Sequence, residues 1–273
     1  MIRYLFILFI LGNMACSRFS QIQKNPNWKD RYQAALDYYQ QGDYYRAGVL
    51  FEDLLPIIRG LKEAEQAQFN HAYCYFYQRQ YTMSSHYFQS FFETYANSPL
   101  AEEAVYRYAH SLYLESPEAN LDQGSTNASL EALQYFINRY PQSQYAKETL
   151  NQMEQLRMKL EKKAFDNAQN YHKIGYHQAA IISLDNFRKD FPDSFFKEEA
   201  AFLMLESSYE LAKMSYILKQ KERFENTIKL YKEFIDRYPE TSYLKKAESY
   251  FAASMAQLEA LSKSEELKEL SEK

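Results

Sequence analysis

The sequence predicts an all-α protein, an α-solenoid of about five stacked helical hairpins wound into a superhelix, and three observations lead there. The first is punctuation. Aromatic-rich amphipathic stretches stop at Tyr95-Ala96-Asn97-Ser98, Tyr140-Pro141-Gln142-Ser143, Phe191-Pro192-Asp193-Ser194 and Tyr238-Pro239-Glu240-Thr241. Proline lacks the N–H that a helix interior needs and drives its predecessor out of the α region. The Ser or Thr two residues later is expected to cap the next helix. The second observation is period: from Ala96 to Pro141, Pro192 and Pro239 the steps are 45, 51 and 47 residues, the spacing of stacked helical hairpins. The third is composition. Only 6 Gly and 7 Pro in 273 residues, with 46% apolar side chains, leave little chain for long loops or a glycine-rich catalytic turn. Arrays of this kind present surfaces for binding.

In chain order, the first element is an export signal over residues 1–15. Arg3 is followed by a continuous apolar run from Tyr4 to Leu11, then by Gly12-Asn13-Met14-Ala15-Cys16. That run is far shorter than the roughly 20 residues that span a bilayer, so it reads as a cleaved signal rather than a membrane helix. Cys16 directly after a small residue resembles the lipobox of bacterial lipoproteins, although Asn13 stands where that motif prefers Leu. The resemblance implies that residues 1–15 are removed and that Cys16 becomes the lipidated first residue. A covalent lipid on Cys16 would then be the only non-protein group. With Ser17 and Arg18 following, and no Asp to hold the protein at the inner membrane, the resemblance implies the periplasmic face of the outer membrane of a Gram-negative envelope. Residues 16–27 are polar and read as a lipidated tether. Cys74, mid-helix in Ala72-Tyr73-Cys74-Tyr75, reads as small buried packing rather than half of a disulfide.

The solenoid is expected over residues 28–255, with the first helix starting near Asn27 or Lys29. Ala35, Tyr38, Gly42, Tyr44, Ala47 and Phe51 stand at the small, aromatic and turn positions of the tetratricopeptide pattern. The phase recurs at Ala72, Tyr75, Tyr81, Ser84 and Phe88, and at Ala168, Tyr171, Gly175, Ala180, Leu184 and Phe187. It is weaker at Ser215, Leu218, Phe224, Thr227, Tyr231 and Phe234. A third copy begins at Ala101 and is interrupted by a polar insert from Ser116 to Ala128. Long first helices are expected in the fourth and fifth repeats, and 256–273 reads as a charged tail.

Aromatic residues make up 17% of the chain, through 26 Tyr and 19 Phe, more than a leucine-based helical core requires. Tyr38, Phe51, Tyr75, Phe88 and Phe187 fall at packing positions. Tyr32, Leu36, Tyr39, Phe69, Tyr73, Phe76, Tyr77, Tyr106, His110 and Tyr113 fall on the groove-facing side of the first helices. A tyrosine-lined groove suits an extended segment whose own side chains are aromatic or apolar, because tyrosine is rigid, amphipathic and cheap to order.

Other functions are poorly supported. A net charge of −4 and no Lys/Arg run longer than two argue against nucleic acid as a partner. His71, His86, His110, His172 and His177 are scattered, and no metal or catalytic residue set stands out. HExxH, phosphate-loop and GxSxG motifs are absent. The acidic pairs Glu102-Glu103 and Glu198-Glu199 fall in first turns of helices and read as solvated charges that complement the dipole.

The lipobox, the five repeats, the insert in the third, the Tyr140-to-Tyr145 stop, the Leu160-to-Tyr171 helix, Gly175 and the Asp190-to-Ser194 stop together resemble the BamD family. These are the tetratricopeptide lipoproteins of the outer-membrane β-barrel assembly machinery. The resemblance runs from about Cys16 to about Leu218. It implies a non-enzymatic scaffold. The partners it implies are the periplasmic domains of the barrel-forming subunit, the C-terminal signal of unfolded outer-membrane proteins, and other assembly lipoproteins. By this resemblance Tyr32, Tyr39, Phe69, Tyr73, Phe76, Tyr77, Tyr106 and Arg107 take the signal strand, while Tyr176, Arg188 and Lys189 fall where the barrel subunit would dock. The competing class is another envelope repeat lipoprotein serving pilus, secretion or cell-wall assembly.

Overall fold

The computed structural model describes residues 18–271, with side chains through 264. Between Trp28 and Ser271 the described residues form eleven helices: α1 (Trp28–Gln40), α2 (Tyr44–Leu54), α3 (Glu63–Tyr77), α4 (Tyr81–Thr94), α5 (Ala101–Glu115), α6 (Gly124–Arg139), α7 (Ala146–Lys173), α8 (His177–Asp190), α9 (Lys197–Lys213), α10 (Ile217–Arg237) and α11 (Leu244–Ser271). Paired in order they give five hairpins with α11 after the last, and no strand occurs among the described residues. The all-α repeat fold read from the stops is the fold observed. The chain divides into two compact units, one through Arg157 and one from Met158, with α7 contributing to both.

In the first unit, Ala35, Ala47, Ala64, Ala67 and Cys74 are buried with Leu50, Phe51, Leu54 and Ile58. Small residues let the backbones of α1, α2 and α3 approach, and the larger side chains fill the remaining space. Burial pushes the Cys74 thiol up to about 12, in keeping with packing rather than reactivity. In the second unit the corresponding core joins Phe165, Ala168, Ala180, Leu184 and Phe187 to Ala200, Leu205, Phe234 and Ala247. Hairpin turns close through residues of positive φ, Gly42 and Gly175 at 78° and Arg79 at 60°.

The stop motifs do not cap the helices that follow them. In each, the hydroxyl accepts from the backbone N–H two residues on: Leu100 N to Ser98 at 3.0 Å, Tyr145 N to Ser143 at 3.1 Å, Phe196 N to Ser194 at 2.9 Å and Tyr243 N to Thr241 at 3.1 Å. The helices begin only later, and the caps at Leu100 and Phe196 make no side-chain capping bond, so the expected Ser/Thr N-caps are not formed. Three of these hydroxyls instead donate to a carboxylate on the first helix of the preceding repeat: Ser98 to Glu65 at 2.5 Å, Ser194 to Glu161 at 2.6 Å and Thr241 to Glu198 at 2.6 Å. At three stops the residue five positions after the leading aromatic is itself aromatic and stacks on the earlier repeat, Tyr145 on Tyr106 at 4.2 Å, Phe196 on Phe165 at 4.6 Å and Tyr243 on Phe202 at 4.3 Å. The Phe191 and Tyr238 stops thus tie one repeat to its predecessor by both a charge-assisted hydrogen bond and a ring stack, the Tyr95 stop by the hydrogen bond alone and the Tyr140 stop by the stack alone.

Several expectations change. Residues 18–23 of the expected tether are helical. Phe19 meets the Tyr38 ring at 5.8 Å, the Arg46 guanidinium lies over both rings, and Gln23 donates to Asp53 at 2.9 Å. The segment is polar on average but carries Phe19 and Ile22 one turn apart, enough to dock it on the first hairpin. The insert ends at Gln123, where α6 begins, rather than at Ala128; the Gln123 amide donates to the carbonyls of Glu118 and Leu121 and braces the loop. α7 is long, at 28 residues, but α9 has 17, and the length of the last repeats resides in α10 and α11. Residues 256–271 continue α11, with Leu258 and Leu261 packed near Ala212 and Phe224. Leu218, placed at a repeat position by the weak fifth phase, is 93% exposed. Cys16 and the signal segment lie outside the described residues.

Candidate aromatic binding face

The first helices of the first unit, with the start of α2, carry a connected series of rings. Tyr44 stacks on Tyr77 at 4.4 Å and Tyr77 on Tyr73 at 5.4 Å; Tyr39 meets Tyr44 at 5.6 Å and Tyr77 at 6.4 Å. Phe76 meets Tyr73 at 6.1 Å and His110 at 5.7 Å, and His110 reaches Tyr113 at 5.9 Å. Helical spacing produces this, since positions three and four apart on α3 and α5 project side by side.

Arg107 sits at the centre. Its guanidinium lies 5.2–5.9 Å from the ring centres of Tyr73, Phe76, Tyr106 and Tyr145. Nε donates to the Tyr73 hydroxyl at 2.8 Å and stands 3.8 Å from Glu103. The Tyr73 hydroxyl in turn donates to Glu103. Burial works against the charge on Arg107, but the Tyr73 hydroxyl and Glu103 outweigh it, so its pKa lies above the ordinary value. Burial first, then the hydrogen bond to Glu103, raises the pKa of Tyr73 and keeps its hydroxyl protonated. Both polar contacts of Arg107 use Nε, and its guanidinium carbon lies within 6 Å of four ring centres.

Burial divides the expected groove residues. Tyr77 is 47% exposed, and Tyr32, Tyr39, Phe76 and Arg107 are half-buried, so all five can be reached from solvent. Phe69, Tyr73 and Tyr106 are only 5%, 6% and 1% exposed and are core, not groove. Phe69 is enclosed by Tyr73, Phe88 and Phe91, and Tyr106 by Tyr145, His110 and Phe136. Tyr73 still acts on the face through its hydroxyl. Residues missed from sequence are Tyr44, Tyr145, Glu103 and Gln152, which bonds His110 Nδ1 at 2.9 Å. The Glu102-Glu103 and Glu198-Glu199 pairs are likewise more than solvated dipole charges: Glu103 holds Tyr73 and Arg107, Glu198 takes Thr241, and Glu199 accepts from Gln169 at 3.0 Å.

In the second unit Tyr176, Arg188 and Lys189 do not converge. Tyr176 is 64% exposed at the N-terminal end of α8, whereas Arg188 and Lys189 lie a dozen residues on, about 18 Å along the helix. Lys189 pairs with Asp185 at 2.6 Å, and Arg188 points its Nη1 at Met204 Sδ, 3.9 Å away. Among the described residues, no group of three or more His, Cys, Asp or Glu side chains is placed to hold a metal ion.

Residues 24–224 match the model of the family described as YfiO, outer membrane lipoprotein. The chain belongs to this family. It is also 23% identical over 204 residues to the outer membrane protein assembly factor BamD of Pasteurella multocida (strain Pm70), which covers 71% of this chain and 78% of that protein. The BamD resemblance drawn from the stops and repeats therefore stands. Two crystal structures of nearly identical TPR-like repeats, from a Podosopora anserina protein described as a kinesin light chain, align at TM-scores of 0.35 and 0.34. Their identities are 14% and 13%, over 77% and 84% of this chain and 93% and 95% of theirs. The aromatic face of this chain, from the first hairpin to the start of α7, lies within the matched region.

Proposed function

We propose that this chain is a non-catalytic scaffold for outer-membrane protein assembly, anchored by lipid on Cys16 at the periplasmic face of the outer membrane. It binds the barrel-forming subunit through that subunit's periplasmic domains, and it takes the C-terminal signal of unfolded outer-membrane proteins on the aromatic face of the first unit. Membership in an outer membrane lipoprotein family and a relative named as an assembly factor support the general role.

The observation that carries the substrate reading is Arg107 held among four rings beside the exposed Tyr77. An extended strand ending in an aromatic residue offers two complementary groups, a ring to stack on Tyr77, Tyr39 and Phe76, and a terminal carboxylate for the guanidinium. A charge-assisted hydrogen bond contributes about 1.5–3 kcal/mol, so the free carboxylate is expected to matter by roughly ten- to a hundredfold.

Fluorescence anisotropy with a labelled ten-residue peptide ending in phenylalanine tests this, as free acid and as amide. The free acid is expected to bind the wild-type chain more tightly, and Arg107→Gln is expected to erase the difference. Equal affinity for acid and amide on the wild-type chain refutes the carboxylate contact.

A further inference from the structure

His110 lies on the aromatic face of α5, with its ring held from several directions. It stacks nearly parallel on Tyr106 at 5.5 Å and on Tyr113 at 5.9 Å, and it meets Phe76 at 5.7 Å. The Gln152 side chain bonds its Nδ1 at 2.9 Å, and Tyr113 is itself tied to Gln155 of α7 through its hydroxyl. Nε2 is different. Among the described residues it has no hydrogen-bond partner, and it keeps access to solvent.

The groups behind the ring decide which nitrogen carries the proton. The Gln152 side-chain nitrogen has two hydrogens and meets two acceptors, Glu148 Oε1 at 3.1 Å and His110 Nδ1 at 2.9 Å. An amide nitrogen donates and does not accept, so Nδ1 is bare. Turning the amide over would set its oxygen against the Glu148 carboxylate, and would orphan the N–H groups where Oε1 now lies buried without a partner. Burial lowers the pKa of His110 from 6.5 and the Arg107 charge adds to this, together outweighing the Gln152 bond and the Glu148 charge. The ring is therefore neutral at neutral pH, with its one proton on Nε2.

Arg107, one turn earlier on α5, lies against two of the same rings. Its guanidinium is 5.2 Å from Tyr106 and 5.3 Å from Phe76, where His110 stands at 5.5 Å and 5.7 Å. Its terminal nitrogens have no hydrogen-bond partner among the described residues. We propose that His110 is a specificity-determining residue of this face, whose Nε2–H takes one oxygen of a peptide's terminal carboxylate while Arg107 takes the other. This role rests on the reading of the face as the site for a C-terminal signal. Neighbouring donors suit a carboxylate, which offers only acceptors, and they oppose a terminal amide, which must turn an N–H towards one of them. With its proton on Nδ1, His110 would instead accept from the amide and the discrimination would vanish. Glu148 and Gln152 are positioning residues, which fix the proton on Nε2 without touching the peptide.

The test titrates the phenylalanine-ended peptide, as free acid and as amide, against His110→Phe at neutral pH. The phenyl ring retains the stacks and lacks the N–H. Free acid is expected to bind this variant about tenfold more weakly than wild type, and the amide to change by less than about twofold, which shows the face to be intact. Long-range proton–nitrogen correlation spectra of histidine-labelled protein are expected to place the His110 proton on Nε2, the signal being assigned by its loss in His110→Phe. Gln152→Leu is expected to spread the proton over both nitrogens and to lower the preference for acid over amide by about threefold. A preference that survives in His110→Phe but is lost in Arg107→Gln overturns the role of His110 and leaves the substrate reading standing. Equal losses for acid and amide in His110→Phe assign the ring to packing and overturn it too, as does a wild-type proton on Nδ1. Equal affinity of acid and amide for the wild-type chain overturns the substrate reading itself, and this role with it.

Discussion

Tyr106→Ala separates core from binding face most sharply. Tyr106 falls on the groove side of α5 by helical phase, yet it is 1% exposed and stacked on Tyr145 at 4.2 Å with the rings within 5° of parallel. Truncating a fully buried large aromatic costs about 3–5 kcal/mol, including about 0.5–1.5 kcal/mol for the lost stack. Tyr77 is 47% exposed, so Tyr77→Ala is expected to cost roughly 1 kcal/mol of stability, while lowering affinity for an aromatic-terminated peptide about fivefold. Urea unfolding followed by the fluorescence of Trp28 reads the first unit, because the chain's single tryptophan packs there. With a slope of about 2 kcal/mol per molar urea, Tyr106→Ala should lower the midpoint by about 2 M and Tyr77→Ala by about 0.5 M. A Tyr106→Ala protein as stable as wild type that fails to bind peptide would refute the division, and return Tyr106 to the groove.

Other expectations follow from the same geometry. Ser194→Ala removes the bond to Glu161 at 2.6 Å and the acceptor for Phe196 N–H at 2.9 Å, and should destabilise the second unit by about 1–2 kcal/mol in thermal melts; no shift would deny the stop motifs their inter-repeat role. Arg79 adopts the left-handed φ of 60° that glycine supplies at Gly42 and Gly175, so Arg79→Gly should stabilise by about 0.5–1 kcal/mol, measured by chemical denaturation. His71 is 1% exposed with neither ring nitrogen hydrogen-bonded, and burial lowers its pKa from 6.5 to about 4. The folded state therefore favours neutral His71, and its stabilisation is present in full above pH 6.5 and lost as pH falls towards 4. About 2 kcal/mol should be lost by pH 5. His71→Leu should remove that part of the acid sensitivity, and an unchanged difference between urea midpoints at pH 7.5 and pH 5 would contradict it.

The repeat fold was legible because its signals are local. Proline and the aromatic before it end helices whatever surrounds them, and small residues such as Ala35, Ala47 and Ala168 recur at close approaches that any hairpin of this kind requires. The candidate face was only half legible. Helical phase says which side of α5 Tyr106 occupies, but its burial comes from Tyr145, which arrives from the next repeat after the stop. Glu103 looked like a helix-start charge for the same reason: its partners Tyr73 and Arg107 combine a different helix with the next turn of its own. Average polarity hid the docking of Phe19 and Ile22, since two side chains one turn apart suffice to dock a segment whose mean composition is that of a linker. Leu218 falls outside the core because α10 has more chain before Thr227 than α8 has before Ala180: Phe224, Thr227 and Phe234 are buried at the expected spacing, while the positions before them, Ser215 and Leu218, land in the turn and at the exposed start of α10.

A scaffold role in outer-membrane protein assembly is best tested by a mild-detergent pull-down of the full-length protein from its own envelope, with Cys16→Ala as control and mass spectrometry of what is retained. A large barrel-forming membrane protein that carries repeated periplasmic domains is expected among the retained proteins. Retention of a pilus, secretion or cell-wall component in its place would contradict it.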